Sequence, residues 1–233
     1  IGCSCFQIEH NVHNISLISN FKIFIKYLNL IKKIKPNYIF SFTMIANFIS
    51  FLISIYSFKK IKVVATMTGL GTAFIEKGIK LFFIRQLYYF LSLFSYYCFF
   101  HNDDDLNMFN FIRYKSSVIP GSGVNINQFK LVDKKHFNNT FLYIGRLIKQ
   151  KGINELFEAC EILKKDNLNF KLNILGFFDH NNPNSIDNDL YDKIIQSKNI
   201  NFFGFQDNIK EFFINSDCVI LPSYREGMPR SLR

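Results

Sequence analysis

Cys218-Val219-Ile220-Leu221-Pro222-Ser223-Tyr224-Arg225-Glu226-Gly227-Met228-Pro229-Arg230-Ser231-Leu232-Arg233 is the stretch whose reading decides the fold. A short apolar run stops at a polar loop. Pro229, with φ already near the helical value and no N–H to lose, stands where a helix would begin. The stretch therefore predicts a strand, a ligand loop and a helix N-terminus. In an open α/β sheet, anions collect at the carboxyl end of a strand beside a helix N-terminus, because unpaired N–H groups and the helix dipole point there. Glu226 stands inside that loop.

Working back from this end, the period is regular. Strands are predicted over 140–145, 170–176, 200–204 and 218–223, with helices over 153–165, 187–197 and 207–216 and an Asn-rich loop around Pro183. Short apolar runs alternating with helical spacing make a parallel βα array. Further back, Val118-Ile119-Pro120-Gly121-Ser122-Gly123-Val124-Asn125 reads as a strand followed by a glycine-proline loop, and 130–139 is polar and charged. A domain boundary fits there, with residues 1–125 on one side and 126–233 on the other.

The first half repeats the alternation. Residues 21–34 carry lysines at helical intervals among apolar residues and are stopped by Lys35-Pro36-Asn37. A strand is predicted over 38–42, a helix over 44–58 and a second strand over 61–66, followed by a tight loop containing Thr68, Gly69 and Gly71. Residues 38–58 hold no charge, a length that would cross a bilayer. Ser41, Thr43, Asn47, Ser50, Ser54 and Ser57 favour a buried strand and helix instead. Residues 80–95 are strongly aromatic, with Lys80 and Arg85 near the start, and suit a packed helix or one resting on a membrane surface. A third strand over 96–101 precedes Asp103-Asp104-Asp105, which resembles a metal loop but whose acids better suit the start of a helix near Leu106.

Composition narrows the class. The 28 Lys and Arg against 18 Asp and Glu give +10, which favours an anionic partner: a membrane surface, a phosphorylated substrate or nucleic acid. Without a block of basic residues or an RNA-binding aromatic signature, nucleic acid is set aside. Five cysteines at 3, 5, 98, 160 and 218 make no C-x-x-C pair and predict reduced thiols in a cytosolic setting. The chain starts at Ile1 with no basic and apolar leader, so no signal peptide is read, and an internal piece of a longer chain is expected.

Chemistry concentrates in Gly145-Arg146-Leu147-Ile148-Lys149-Gln150-Lys151-Gly152, between a strand and a helix. Arg146 offers a planar fork of donors and Lys151 a mobile point charge, which together suit a diphosphate whose negative charge grows as a sugar leaves it. Gly-Arg-Leu-x-x-x-Lys-Gly, followed in order by Pro-Ser-Tyr-Arg-Glu-Gly-Met-Pro-Arg-Ser-Leu, resembles the donor-site motifs of retaining GT-B glycosyltransferases of family 4, the group 1 type. Asn182-Pro183-Asn184-Ser185-Ile186, Thr68-Gly69-Leu70-Gly71 and Asn102-Asp103-Asp104 are similar to the subgroup acting on undecaprenyl-diphosphate-linked sugars.

The resemblance implies an α/β fold of two Rossmann-like parallel-sheet domains, here both incomplete. It implies that Arg146 and Lys151, with Gly145 and Gly176, bind the donor diphosphate, and that Glu226 with Gly227 and Met228 holds the donor sugar. Glu226, Arg146 and Lys151 are the expected catalytic residues, and Thr68, Gly69 and Gly71 the acceptor side of the cleft. The donor, a UDP sugar, is substrate rather than cofactor, and no metal is required. The expected partners are a lipid-linked acceptor and the cytoplasmic membrane, to which the enzyme would be peripheral. Two departures stand out: Thr68 where many relatives place a His, and Gly176-Phe177-Phe178-Asp179 in place of Gly-x-Gly-Pro. The family's second Glu would follow Arg233, so the chain as it stands is expected to be weakly stable and inactive, an inactive remnant being the first rival and a membrane-associated scaffold protein the second.

Overall fold

The computed structural model describes residues 3–8, 17–71, 74, 78–129 and 138–233. The charged boundary expected over 130–139 lies outside them as far as residue 137. The chain divides into two compact units, Ile1–Gly121 and Ser122–Arg233.

The first unit runs α1 (Leu17–Ile34), β1 (Tyr38–Phe42), α2 (Met44–Tyr56), β2 (Lys62–Met67), α3 (Ile79–Ser92), β3 (Tyr97–Phe100), α4 (Asp103–Met108), a 3-10 turn (Asn110–Lys115) and β4 (Ser116–Val118). Its four strands pair in parallel in chain order. Val63 to Met67 are all buried, as a parallel strand covered on both faces requires. Phe51, Tyr88, Phe100 and Phe109 complete the core around them.

The uncharged stretch 38–58 is two elements. Thr43, at φ 74, turns the chain between β1 and α2. Its polar side chains find partners inside the fold: Ser41 donates to Asn47 Oδ1 (2.8 Å), Asn47 Nδ2 to the Thr66 carbonyl (3.0 Å) and Ser54 to the Phe94 carbonyl (2.8 Å). Among the described residues no helix is long and apolar enough to cross a membrane. Two boundaries differ from those read in the sequence. The helix expected to reach 58 stops at Tyr56, because Phe58 and Lys59 take left-handed backbone (φ 50 and 61). The helix expected from Leu106 starts at Asp103, because Asn102 accepts the Asp105 N–H (2.7 Å) and caps it.

The second unit runs β5 (Thr140–Ile144), α5 (Ile153–Lys165), β6 (Lys171–Leu175), α6 (Asn188–Gln196), β7 (Ile200–Gly204), α7 (Lys210–Ile214) and β8 (Cys218–Val219). All pairs are parallel and the order is β7-β6-β5-β8. The chain thus moves outward from β5 to β7, then crosses back to place β8 on the other side of β5. That reversal leaves a crevice between the carboxyl ends of β5 and β8, where open α/β sheets bind ligands. Asp217 fixes the pairing at the other end: its Oδ2 accepts the N–H groups of Asn138 (2.9 Å) and Thr140 (2.7 Å).

Three elements here are shorter than the sequence pattern suggests. α7 covers five residues instead of 207–216. β8 pairs over two residues instead of 218–223; Ile220 N still donates to Leu142 O (2.8 Å), but Pro222 has no N–H and Tyr224 N turns to Gln150 O (3.1 Å). Pro229 opens a 3-10 turn, Arg230–Leu232, instead of an α-helix.

The cysteines divide by environment. Burial pushes the thiols of Cys98 and Cys160 from the ordinary 9.0 up to about 11, while Cys3, Cys5 and Cys218 are exposed. In the native protein at neutral pH, a thiol reagent should label three cysteines promptly and two only on unfolding. Because folding raises these two pKa values, their contribution is whole below pH 9 and lost as pH rises through about 11. Urea midpoints should therefore fall across that window, and a flat profile would contradict the assignment.

Candidate functional site

The crevice is built from glycines that let three backbone segments touch. A Cβ on Gly176 would lie 1.8 Å from the Gly145 carbonyl oxygen, and one on Gly145 would lie 2.7 Å from the Tyr143 hydroxyl. The tips of β5 and β6 therefore meet at van der Waals distance. Gly152 has φ 71, and a Cβ there would lie 2.2 Å from the Pro222 carbonyl oxygen. The loop after β5 and the loop after β8 can pack against each other only because this residue has no side chain.

That packing brings together residues far apart in sequence. Lys151 donates to Glu226 Oε1 in a close ion pair, the two side chains being 24% and 23% exposed. Tyr143 is fully buried beneath them and donates its hydroxyl to the Arg146 carbonyl (3.0 Å). Burial and then the negative charge of Glu226 push its phenol up, with Arg146 acting weakly the other way. Tyr224 donates to Glu155 on α5, anchoring the loop that carries Glu226. The other side of the first loop is held by β6 and the Asn-rich segment: Leu147 N donates to Phe177 O (3.0 Å) and Lys149 N to Asn184 O (2.9 Å).

Lys151 and Glu226 line a cavity of about 700 Å³, with Ile144, Leu221, Phe213 and Arg230 among the other walls. That is within the range of small-ligand sites. Gly227 and Met228 are half-buried in the same loop as Glu226. Arg146 lies at the same end of the sheet with an exposed side chain, outside that cavity's lining. Gly176 sits at the tip of β6 and acts through packing. Thr68, Gly69 and Gly71 belong to the first unit, just after β2, with Gly69 and Gly71 at positive φ. Among the described residues no three of His, Cys, Asp and Glu are grouped to hold a metal ion. A cation and a carboxylate in contact at the mouth of such a cavity can bind an anionic group and a polyhydroxylated one side by side.

Sequence reasoning missed Tyr143 and Gly152. Tyr143 reads as one more apolar strand residue, and Gly152 only as the closing glycine of the Gly145–Gly152 motif, with no signal that Pro222 would pack against it. Tyr143→Phe keeps the ring and removes the bond that holds the Arg146 backbone. We expect about 1 kcal/mol lower stability and donor affinity reduced a few-fold. Thermal unfolding and donor titration would check it, and unchanged values of both would remove Tyr143 from the site.

Residues 125–232 match the family model "Glycosyl transferases group 1". The chain is 28% identical over 191 residues to N,N'-diacetylbacillosaminyl-diphospho-undecaprenol alpha-1,3-N-acetylgalactosaminyltransferase of Campylobacter jejuni, covering 72% of this chain and 48% of that protein. It is 26% identical over 231 residues to the capsular polysaccharide biosynthesis glycosyltransferase CapM of Staphylococcus aureus, covering 92% and 60%. The chain thus spans about half to three fifths of these relatives. Among solved structures, sucrose-phosphate synthase of Thermosynechococcus elongatus superposes with a TM-score of 0.72 at 15% identity, over 95% of this chain and 63% of that one. Anabaena HepE in complex with UDP-glucose gives 0.66 at 15% identity, over 88% and 57%. Both are likenesses of fold. Residues 125–232 are thus similar to the glycosyl transferases group 1 family, and the chain shares the α/β fold of two parallel sheets seen in the GT-B enzymes among these structures.

Proposed function

We propose that the protein transfers a hexose or N-acetylhexosamine from a UDP sugar to a lipid-linked saccharide in surface glycan or capsule synthesis, with retention at the anomeric carbon. The observation that carries this reading is the Lys151–Glu226 contact at the switch point of the second sheet. Supporting it are the named relatives, one acting on a diphospho-undecaprenol sugar by its name, and the UDP-glucose complex among the fold's neighbours.

The roles follow from the chemistry. Lys151 and Arg146 hold the diphosphate and offset its charge as the bond from C1 to the phosphate oxygen breaks. Glu226, with the backbone of Gly227 and Met228, holds the sugar hydroxyls. The acceptor hydroxyl oxygen bonds to C1 on the face the diphosphate leaves, and its proton passes to the departing diphosphate oxygen. Lys151 and Arg146 supply the countercharge, so the reading includes no metal and no cofactor. Thr68, Gly69 and Gly71 are assigned to the acceptor, and the enzyme to the cytoplasmic side of the membrane as a peripheral protein that binds no nucleic acid.

The test is turnover of a panel of UDP sugars on a polyprenyl-diphosphate saccharide, with the product anomer read by NMR. In the full-length protein we expect transfer with the donor's anomeric configuration, and Arg146→Ala to lower kcat/KM at least about tenfold, since a charge-assisted contact contributes about 1.5–3 kcal/mol. An inverted product or wild-type kinetics in the variant would contradict the assignment.

A further inference from the structure

Residues 1–121 carry 13 Lys and Arg but only 5 Asp and Glu, so +8 of the chain's +10 sits on the first unit. Its acids among the described residues are Asp103, Asp104 and Asp105, beyond the carboxyl end of β3. The amino end of the same sheet is basic: Lys59 and Lys60 follow α2, Lys62 opens β2 and Lys115 precedes β4.

α3 runs down to that basic edge, and among the described residues one apolar side of it is exposed. Ile79, Phe82, Phe83, Leu87 and Phe90 share one side of the helix and are all exposed, Phe83 by 64%. The opposite side, with Tyr88 and Leu91, is buried in the core. The apolar side continues into the basic edge without a break. The Phe90 and Phe94 rings are 5.4 Å apart, the Lys59 ammonium lies 5.4 Å over Phe94, and Lys115 Nζ donates to the carbonyls of Leu93 (2.9 Å) and Ser95 (2.8 Å). Burial holds the Lys115 ammonium below the usual lysine range, and the like charge of Lys59 acts in the same direction against Cys98. Phe58, 89% exposed, is displayed beside these lysines by a left-handed backbone that side-chain-bearing residues rarely adopt.

Five large apolar side chains in a row on a solvated helix mark an interaction surface. Charge complementarity selects the partner: a surface that is anionic at its boundary and apolar just beneath. Acidic phospholipid headgroups over acyl chains meet both needs, with aromatic rings seated at the headgroup level and lysines extended to the phosphates. α3 has 14 residues, short of the roughly 20 that span a bilayer, so it would lie flat in the interface. We propose that the outer side of α3, bordered by Lys59, Lys60 and Lys115, docks the protein on an anionic bilayer. This deepens the peripheral-membrane part of the reading above and does not depend on the donor site.

The test is flotation with vesicles of phosphatidylcholine alone or mixed with phosphatidylglycerol, at low and physiological salt. We expect binding to the mixed vesicles, little to pure phosphatidylcholine, and weakening as salt rises. Each lysine near an anionic surface contributes about fivefold, so Lys59→Glu with Lys60→Glu should weaken binding at least about 20-fold. Phe82→Ser with Phe83→Ser should weaken it about tenfold or more. Phe58→Asn, which suits the left-handed backbone, should keep the thermal unfolding midpoint and still reduce binding. Lys164→Glu with Lys165→Glu, on α5 of the second unit, should change little. Equal binding by the α3 and lysine variants, loss through Lys164 and Lys165 alone, absence of binding to the mixed vesicles, or preference for a nucleic-acid fragment over them would each overturn the proposal. Vesicle binding that persists in a protein unable to bind UDP sugars would leave it standing while the transferase reading failed.

Discussion

Gly152→Ala should destabilise the second unit by about 2–4 kcal/mol and abolish measurable donor binding. Two effects add. A left-handed backbone costs a residue with a Cβ about 1–2 kcal/mol, and the Cβ would stand 2.2 Å from the Pro222 carbonyl oxygen, forcing the two ligand loops apart. Gly204 supplies the control: it also has positive φ (66), but nothing lies within 4 Å of an added Cβ. Gly204→Ala should therefore show the backbone cost alone, about 1 kcal/mol, with donor binding kept. Urea unfolding of the two variants separates clash from conformation, and equal losses in both would show that the loop–loop contact at Gly152 contributes nothing.

Lys151→Ala should lower donor affinity about tenfold to a hundredfold while changing stability by about 1 kcal/mol or less, and Glu226→Ala should do the same for the sugar part of the donor. The asymmetry is the point. Both side chains retain about a quarter of their exposure, so their attraction is screened and contributes modestly to folding. Toward a diphosphate the lysine meets two or more negative oxygens, and toward the sugar the glutamate accepts from hydroxyls. In a double-mutant cycle the stability coupling should be small and the kcat/KM coupling large. Large coupling in stability with unchanged kcat/KM would make the pair a fold staple.

Much of the fold was readable where local pattern and tertiary environment agree. α5 runs over Ile153–Lys165 as its apolar spacing demands, and β7 over Ile200–Gly204, between clear turn signals. α7 and β8 are shorter than their patterns because the limits are set by partners, β8 ending where Pro222 and Tyr224 leave the β5 edge. Phe58 and Lys59 ended α2 through backbone angles that no side-chain pattern announces. At the site, Arg146, Lys151 and Glu226 were legible as residue types beside strand ends. Their arrangement was not: Lys151 and Glu226 are 75 residues apart and meet only because β8 crosses back beside β5. Gly145 and Gly176 stand in the sequence reading as donor-binding positions implied by the resemblance, and their contact adds a steric requirement at the tips of two strands.

Titration of UDP and UDP sugars into the protein, alongside Arg146→Ala and Lys151→Ala, tests most directly whether the crevice between β5 and β8 is a nucleotide-sugar site. Binding by the wild type, at least about tenfold weaker in each variant with thermal unfolding unchanged, is the predicted result. No binding by the wild type, or equal affinity in all three proteins, would contradict it.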